Sequence, residues 1–218
     1  MTEPAVVLDL HLELSQEEVT RYLGYPRGRS ASTNARERLD TLWPEAIATL
    51  SPRGAYALVG RPEAMKIGMP EPADLVGIAA CTIGTALEQE SERRAAGTAL
   101  LDALVLDAIG SAAAEAAADA LNLEICSVAT QRGLEAAPRV SPGYGSWDTA
   151  CQRSLLELLP IDRIGVRLTS GAMMVPRKSV SFAVGFVPSG AMTGHAAARC
   201  SRCGLLRCRH RMAPYEDT

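Results

Sequence analysis

The sequence predicts an α+β fold built around one mixed or antiparallel sheet. Helical and strand-like patterns alternate along the 218 residues without the regular period of a βαβ fold, and no internal repeat is visible. The hydrophobic content of 47% and the charged content of 22% are ordinary for a soluble globular protein with a substantial core. A doubly wound parallel sheet is therefore disfavoured, and so is a disordered chain.

The first elements are predicted to be two helices. Ser15 and Glu18 have the spacing of a capping box, so a short helix should cover residues 16–23 and end before Gly24. A second helix should cover residues 33–50, where the apolar side chains of one face are Leu39, Leu42, Trp43, Ala46, Ile47 and Leu50. Pro44 falls inside this pattern and predicts a kink or a break into two pieces.

Two apolar runs follow and are predicted to be strands, at residues 54–60 and 73–82. The second run is nearly continuously apolar, which is typical of a strand covered on both faces, so it should be central in its sheet. A helix over residues 149–159 should end at Pro160. Two more strands are expected after it, at residues 164–169 and 180–187, the latter rich in residues that favour strands.

Two further helices are expected between these strands, an amphipathic one over residues 85–94 and a long one over residues 98–121. Glu115 and Asp119 fall on the apolar stripe of the long helix, which is formed by Leu101, Leu104, Val105, Ala108, Ala112 and Ala116. A carboxylate that points into a fold is costly unless a partner meets it, so both acids are site candidates. Alternatively, the alanine-rich end of the helix packs loosely and both carboxylates reach water, an interpretation favoured for Asp119.

Residues 139–144 contain the pattern that is most informative about function, Arg-x-x-Pro-Gly-Tyr. Arg139 offers a rigid fork of donors that can meet a carboxylate with two hydrogen bonds. The turn at Gly143 exposes backbone groups, and the ring of Tyr144 can lie against a flat heterocycle because a glycine carries no side chain. This chemistry suits a small zwitterion that carries a ring. Taken alone, the pattern also fits an ordinary surface turn.

The order of the elements around this turn resembles the activation domain of cobalamin-dependent methionine synthase. In that family an Arg-x-x-Pro-Gly-Tyr turn is followed by a short helix and then by a strand-rich Pro-x-x-Ser-Val-Ser segment. Here the corresponding parts are residues 139–144, the helix predicted at 149–159, and Pro-Arg-Lys-Ser-Val-Ser at 176–181. The variant Ser-Pro-Gly-Tyr-Gly-Ser-Trp looks more like free-standing relatives of the domain. The resemblance is closest in the C-terminal half, and it assigns residues 1–198 to such a domain.

The resemblance implies a single curved sheet flanked by helices, with a ligand groove on its open side. It also implies a protein that binds S-adenosylmethionine and supports reductive methylation of cob(II)alamin, as a component of a cobalamin-dependent methyltransferase system of the methionine synthase type. The cobalamin would be held by a partner, either the methyltransferase or a corrinoid protein. An electron donor such as flavodoxin or ferredoxin would also take part.

The resemblance further implies which residues bind the ligand. Arg139 would hold the methionyl carboxylate, and Glu115 would attract the ammonium group or the ribose. Backbone groups around Ser141 and Gly143 would meet the ligand, and Tyr144 would line the pocket. The family's helix-borne Asp near the N-terminus and its late Tyr have no clearly matching position in this sequence. The chemistry would be positioning and screening, because the cobalt is the nucleophile.

The last residues, 199–218, form a Cys-rich tail that is predicted to bind a metal. Cys200 and Cys203 stand at metal-ligand spacing, Cys208 supplies a third thiolate, and His210 could be the fourth ligand. A structural zinc ion and an iron–sulfur cluster are both compatible with these residues. A third possibility is that the thiols bind nothing in the isolated protein.

The tail also supports an alternative function, a metal-containing binding module whose basic residues contact nucleic acid or a redox partner. The net charge of −3 argues against nucleic acid. The N-terminus lacks the basic and apolar regions of a secretory signal, and acidic residues interrupt the longest apolar stretch. The protein is therefore expected to be cytoplasmic and not to bind a membrane.

Overall fold

A five-stranded sheet lies between two layers of helices and loops. The structure is a computed structural model that describes residues 5–25, 29–70 and 72–188. Its strands are β1 (Val6–Asp9), β2 (Arg53–Gly60), β3 (Leu75–Thr82), β4 (Leu134–Ala136), β5 (Arg167–Leu168), β6 (Met174–Val175) and β7 (Ser179–Pro188). Its helices are α1 (Gln16–Tyr22), α2 (Thr33–Ala48), α3 (Arg61–Lys66), α4 (Ala86–Ala95), α5 (Leu100–Gln131) and α6 (Gln152–Leu156). Short 3-10 helices lie at Thr149–Cys151 and Ile161–Ile164.

The sheet has the strand order β1-β2-β3-β7-β4, and every neighbouring pair is antiparallel. β3 pairs along its whole length with β2 on one side and β7 on the other, so it is central, as its apolar run predicts. The sheet curls into a half-barrel. The α+β class and the single curved antiparallel sheet flanked by helices are thereby confirmed. β5 and β6 form a separate small hairpin.

Helices α1, α2, α4 and α5 cover one face of the sheet. α5 lies directly on the strands because two glycines remove side chains where it crosses them. A Cβ atom at Gly54 would lie 2.9 Å from Leu121 Cδ2, and one at Gly77 would lie 2.9 Å from Ile125 Cγ2. Several buried alanines on α5 allow the same close approach. The close approach at these glycines sets the position of α5 over β2 and β3. It thereby also sets the positions of Glu115 and Asp119, which lie on α5.

The opposite face of the sheet is covered by α3, α6 and the chain between β4 and α6. Trp147 is among the largest fully buried side chains of this layer, and its Nε1 donates to the Ile67 carbonyl at 3.2 Å. β3 and β7 are buried on both faces along most of their length. Neither face of these two strands is therefore open, and the predicted ligand groove stays a prediction.

The predicted elements occur with shifted boundaries. α2 is continuous through Pro44, so the predicted break is absent. α5 extends to Gln131 rather than ending at residue 121, because Ile125 and Ala129 continue its buried face. The strand expected at 164–169 shrinks to the two residues of β5, since a 3-10 helix occupies the preceding residues. β1, β4, β6 and α3 were not predicted, because each is too short for a periodic pattern.

The buried face of the N-terminal half of α5 overlaps the predicted stripe, since Val105, Ala108 and Ala112 are buried, but it differs at two positions. Leu104 is 62% exposed, whereas Asp102 is buried. Arg38 from α2 and Arg94 from α4 both donate to the Asp102 carboxylate. These hydrogen bonds, that from Arg38 first, lower the pKa of Asp102 against the opposing effect of its burial. In the described part of the chain no helix, α5 included, combines the length and apolarity needed to cross a membrane.

Candidate functional site

Arg139 lies on a stretch of chain that continues the β4 edge of the sheet. Ala137 N–H donates to the Gly185 carbonyl at 2.8 Å, and Val140 and Ala183 exchange two hydrogen bonds of 2.8 and 2.7 Å. Because side chains alternate along extended backbone, Val140 packs in the α3 and α6 layer while Arg139 reaches the α5 layer. The backbone pairing with β7 thus fixes the position at which the Arg139 guanidinium reaches the α5 side of the sheet.

The guanidinium of Arg139 contacts Glu115 and Asp119, the two acids that fall on the predicted apolar stripe of α5. Its Nη2 donates to Glu115 Oε2 at 2.7 Å and to Asp119 Oδ1 at 2.9 Å. The Arg139 side chain is 24% exposed, that of Glu115 46% and that of Asp119 69%. The guanidinium carbon also lies 5.6 Å from the centre of the Phe182 ring on β7. We call Arg139, Glu115 and Asp119 the Arg139 cluster.

The electrostatics of the cluster keep Arg139 charged. Burial alone would lower the pKa of Arg139, but the hydrogen bonds and charges of Glu115 and Asp119 outweigh it and raise that pKa. Burial, and after it the negative charge of Glu115, raises the pKa of Tyr22 on α1 to about 12. Nearby on α1, Arg21 Nη1 pairs with Glu18 Oε2 at 2.5 Å. The site therefore holds a permanent cation, carboxylates and a neutral phenol.

Tyr22 is a neighbour of the cluster that sequence reasoning missed. It is the last residue of α1 and packs against the core on the α5 side of the sheet. Only the packing of α1 on α5 brings it near Glu115. No periodicity or motif in the sequence carries that information.

The turn after Arg139 is anchored in the layer opposite to the Arg139 side chain. Tyr144 N–H donates to the Ser141 carbonyl, and Gly143 N–H donates to the Trp147 carbonyl at 2.7 Å. Gly143 has a φ of 91°, a left-handed conformation that favours glycine, and a Cβ atom there would lie 2.9 Å from Thr149 Oγ1. Buried Trp147 fixes the turn, while Tyr144 is 75% exposed.

The structure thus joins some of the predicted binding residues and separates others. Glu115 and Arg139 are in contact with each other. The turn residues follow Arg139 in the chain, but Gly143 N–H is already used inside the turn, and Tyr144 projects toward solvent.

Comparison with known protein families identifies the family to which this chain belongs. The family described as "Vitamin B12 dependent methionine synthase, activation domain" matches residues 66–199. The chain belongs to that family. The matched part of this activation-domain protein includes α5, the Arg139 cluster and the turn that follows.

A solved structure agrees with the fold. The activation-domain protein is similar to the crystal structure of the MetH reactivation domain bound to AdoHcy, with a TM-score of 0.59 and 18% sequence identity. The alignment covers 88% of this chain and 81% of that chain. At this identity the likeness concerns the fold. Among curated proteins, no sequence matches the chain.

The cysteines of the described residues do not form a metal site. Within residues 5–25, 29–70 and 72–188, no three His, Cys, Asp or Glu side chains are grouped so that they could hold a metal ion. Burial raises the pKa of the Cys81 thiol to about 12, which keeps it protonated and inert. The predicted ligands Cys200, Cys203, Cys208 and His210 lie outside the described residues.

Proposed function

We propose that this activation-domain protein binds S-adenosylmethionine at the Arg139 cluster and supports reductive methylation of cob(II)alamin in a cobalamin-dependent methyltransferase of the methionine synthase type. Membership of the family supports the proposal, because the matched residues include both Glu115 and Arg139. The solved reactivation domain of similar fold supports it too, since that protein carries AdoHcy, the demethylated form of S-adenosylmethionine.

The observation that carries the proposal is the contact between a partly exposed guanidinium and two carboxylates. The amino-acid end of S-adenosylmethionine carries one carboxylate and one ammonium group. Arg139 offers a cation to the former and Glu115 an anion to the latter, and the two partners lie 2.7 Å apart. When the ligand binds, its two charges would replace part of the contact between Arg139 and the acids, so that every charge keeps a partner.

The residues around Arg139 suit positioning rather than acid–base work. The backbone beside Arg139 is held to β7 by the paired hydrogen bonds of Val140, and the Phe182 ring lies under the guanidinium. The raised pKa of Arg139 keeps it a cation at any physiological pH. The reaction needs no proton transfer: the reduced cobalamin supplies the nucleophile, and S-adenosylmethionine gives up its methyl group and leaves as AdoHcy. The protein's contribution is therefore orientation of the methyl donor.

The turn residues would complete the site from the adjoining edge of the sheet. Since Gly143 N–H donates to Trp147, we propose that the ligand meets the Gly143 carbonyl and the second lone pair of the Ser141 carbonyl, which already accepts from Tyr144 N–H. The exposed ring of Tyr144 would cover the adenosyl part of the ligand. If Tyr144 closed over the ligand, the ligand would connect the Arg139 cluster with the turn, which do not contact each other through Tyr144 in the ligand-free structure.

Partners follow from the chemistry of the proposal. The cobalamin would be held by a partner, either a methyltransferase or a corrinoid protein, and one electron would come from a donor such as flavodoxin or ferredoxin. We also propose that residues 199–218 bind a zinc ion or an iron–sulfur cluster through Cys200, Cys203, Cys208 and His210. A cluster in that tail would serve electron delivery, whereas zinc would only stabilise the tail.

Titration calorimetry of the purified protein with S-adenosylmethionine tests the proposal directly. Saturable binding of one ligand per chain is expected. A second assay adds a cobalamin-loaded partner and a reductant, and it follows the visible spectrum of the cobalamin. Absence of binding at millimolar ligand would remove the proposed function, and binding without any spectral change in the second assay would remove its role in methylation.

A further inference from the structure

The Arg139 cluster contains more negative than positive charge. Two carboxylates, Glu115 and Asp119, share the single nitrogen Nη2 of Arg139. The neighbouring pair on α1, Glu18 and Arg21, adds one charge of each sign. One carboxylate charge in the cluster is thus in surplus before any ligand arrives.

The charges of the ligand account for this surplus. The amino-acid end of S-adenosylmethionine is a neutral zwitterion, for which one guanidinium and one carboxylate are sufficient. Its remaining charge is the positive sulfonium, to which the methyl group is attached. AdoHcy has the same zwitterion and adenosyl group but a neutral thioether. A second carboxylate near the sulfur would therefore distinguish the methyl donor from its product, whereas the zwitterion contacts alone would not.

The two acids are not equivalent. Glu115 is the more buried acid, has the shorter contact to Arg139 and acts on the phenol of Tyr22. It is suited to the ammonium group, which both ligands carry. Asp119 lies one helical turn further along α5 and is 69% exposed, so it can turn toward a charge outside the pair.

We infer that Asp119 is a specificity-determining residue that makes the site favour the sulfonium of S-adenosylmethionine over the neutral sulfur of AdoHcy. The inference rests on the proposed function. After methyl transfer the attraction disappears with the sulfonium charge, and Asp119 returns to Arg139. The same residue would thereby help release the product.

Its partial exposure limits the size of the effect. A carboxylate and a sulfonium several ångströms apart in a largely aqueous setting interact weakly, which corresponds to about a threefold to tenfold difference in affinity. The difference should shrink as salt rises, because exposed charges are screened.

Calorimetric titration of S-adenosylmethionine and AdoHcy into three proteins tests the inference. These are the wild type, Asp119→Asn, and the control Asp107→Asn, which removes another exposed carboxylate of α5 that pairs with Lys178 at 2.7 Å. Asp119→Asn should weaken S-adenosylmethionine binding about threefold to tenfold and change AdoHcy binding less than twofold. Asp107→Asn should leave both affinities as in the wild type.

The outcomes separate this inference from the proposed function. Equal changes for both ligands in Asp119→Asn, or no change for either, would overturn the inference while leaving ligand binding intact. The same loss of preference in Asp107→Asn would also overturn it, because the effect would then belong to the total charge of α5. If the wild type binds neither ligand, both the proposed function and the inference are wrong.

Discussion

Replacing Arg139 by alanine is the most direct perturbation of the proposed site. In the ligand-free protein the guanidinium serves two carboxylates and lies over the Phe182 ring. In the bound protein it would serve the ligand carboxylate through a charge-assisted hydrogen bond. Loss of such a bond typically costs about 1.5 to 3 kcal/mol. The change therefore acts on binding through one identifiable contact.

Two further effects modify this figure, and both are small. The wild type must give up part of its own ion pairs to bind, but these acids are 46% and 69% exposed, so each pair contributes at most about 1 kcal/mol. In Arg139→Ala the unpaired carboxylates attract the ammonium and sulfonium groups more strongly, which offsets some of the loss. We expect a net weakening of about 2 kcal/mol, or roughly thirtyfold in the dissociation constant.

Calorimetry on folded variants is the appropriate assay. Arg177→Ala is a matched control, because Arg177 also contacts two carboxylates, Glu88 and Glu92, but lies away from the cluster. Arg139→Lys should fall between the wild type and Arg139→Ala, since lysine keeps the charge but lacks the planar fork of donors. Circular dichroism and a thermal melt should show that all variants fold. Unchanged affinity in a folded Arg139→Ala protein, or an equal loss in Arg177→Ala, would refute the role assigned to Arg139.

Three other predictions test separate parts of the molecule. Gly143→Val should weaken S-adenosylmethionine binding at least tenfold by calorimetry, because a branched residue resists the positive φ of the turn and meets a neighbouring side chain; wild-type affinity would show that the turn has no part in binding. The lowered pKa of Asp102 means that its stabilising contribution is present above the ordinary Asp pKa near 4 and is lost as pH falls below it, so chemical denaturation should show a shallower acid-induced loss of stability in Asp102→Asn, and parallel pH profiles would contradict this. Anaerobically purified protein should carry about one zinc ion or one iron–sulfur cluster, lost in Cys203→Ser without loss of S-adenosylmethionine binding; metal-free wild-type protein by elemental analysis would count against the tail as a metal site.

Periodicity predicted the parts of the fold whose pattern is long enough to read. The central position of β3 follows from its continuous apolar run, α1 begins directly after the predicted capping residue Ser15, and α2 begins at residue 33 as predicted. β1 and β4 could not be found, because four and three residues give no period. Their pairing depends on partners that are distant in sequence.

The residues of the candidate site could be predicted from the sequence, but the contacts between them could not. The turn motif pointed to Arg139, and the helical stripe pointed to Glu115 and Asp119. Nothing in the sequence indicated that these side chains contact one another, since that contact depends on the register of β7 and on how α5 packs on the sheet. Asp119, interpreted as solvent-facing, is both largely exposed and bound to Arg139. Tyr22 escaped notice for the same reason, because packing of α1 on α5 places it.

Two independent packing constraints therefore meet at the Arg139 cluster. Gly54 and Gly77 let α5 lie close on the sheet and so fix where Glu115 and Asp119 stand. The backbone pairing of Val140 with Ala183 fixes where Arg139 enters from the other direction. Both faces of β3 and β7 are covered, whereas the Glu115 and Asp119 side chains are 46% and 69% exposed, so the cluster is reached at the flank of α5 and not across the middle of the sheet. That geometry suits the proposed function, in which the domain would hold a small methyl donor and present it to a cofactor carried by another protein.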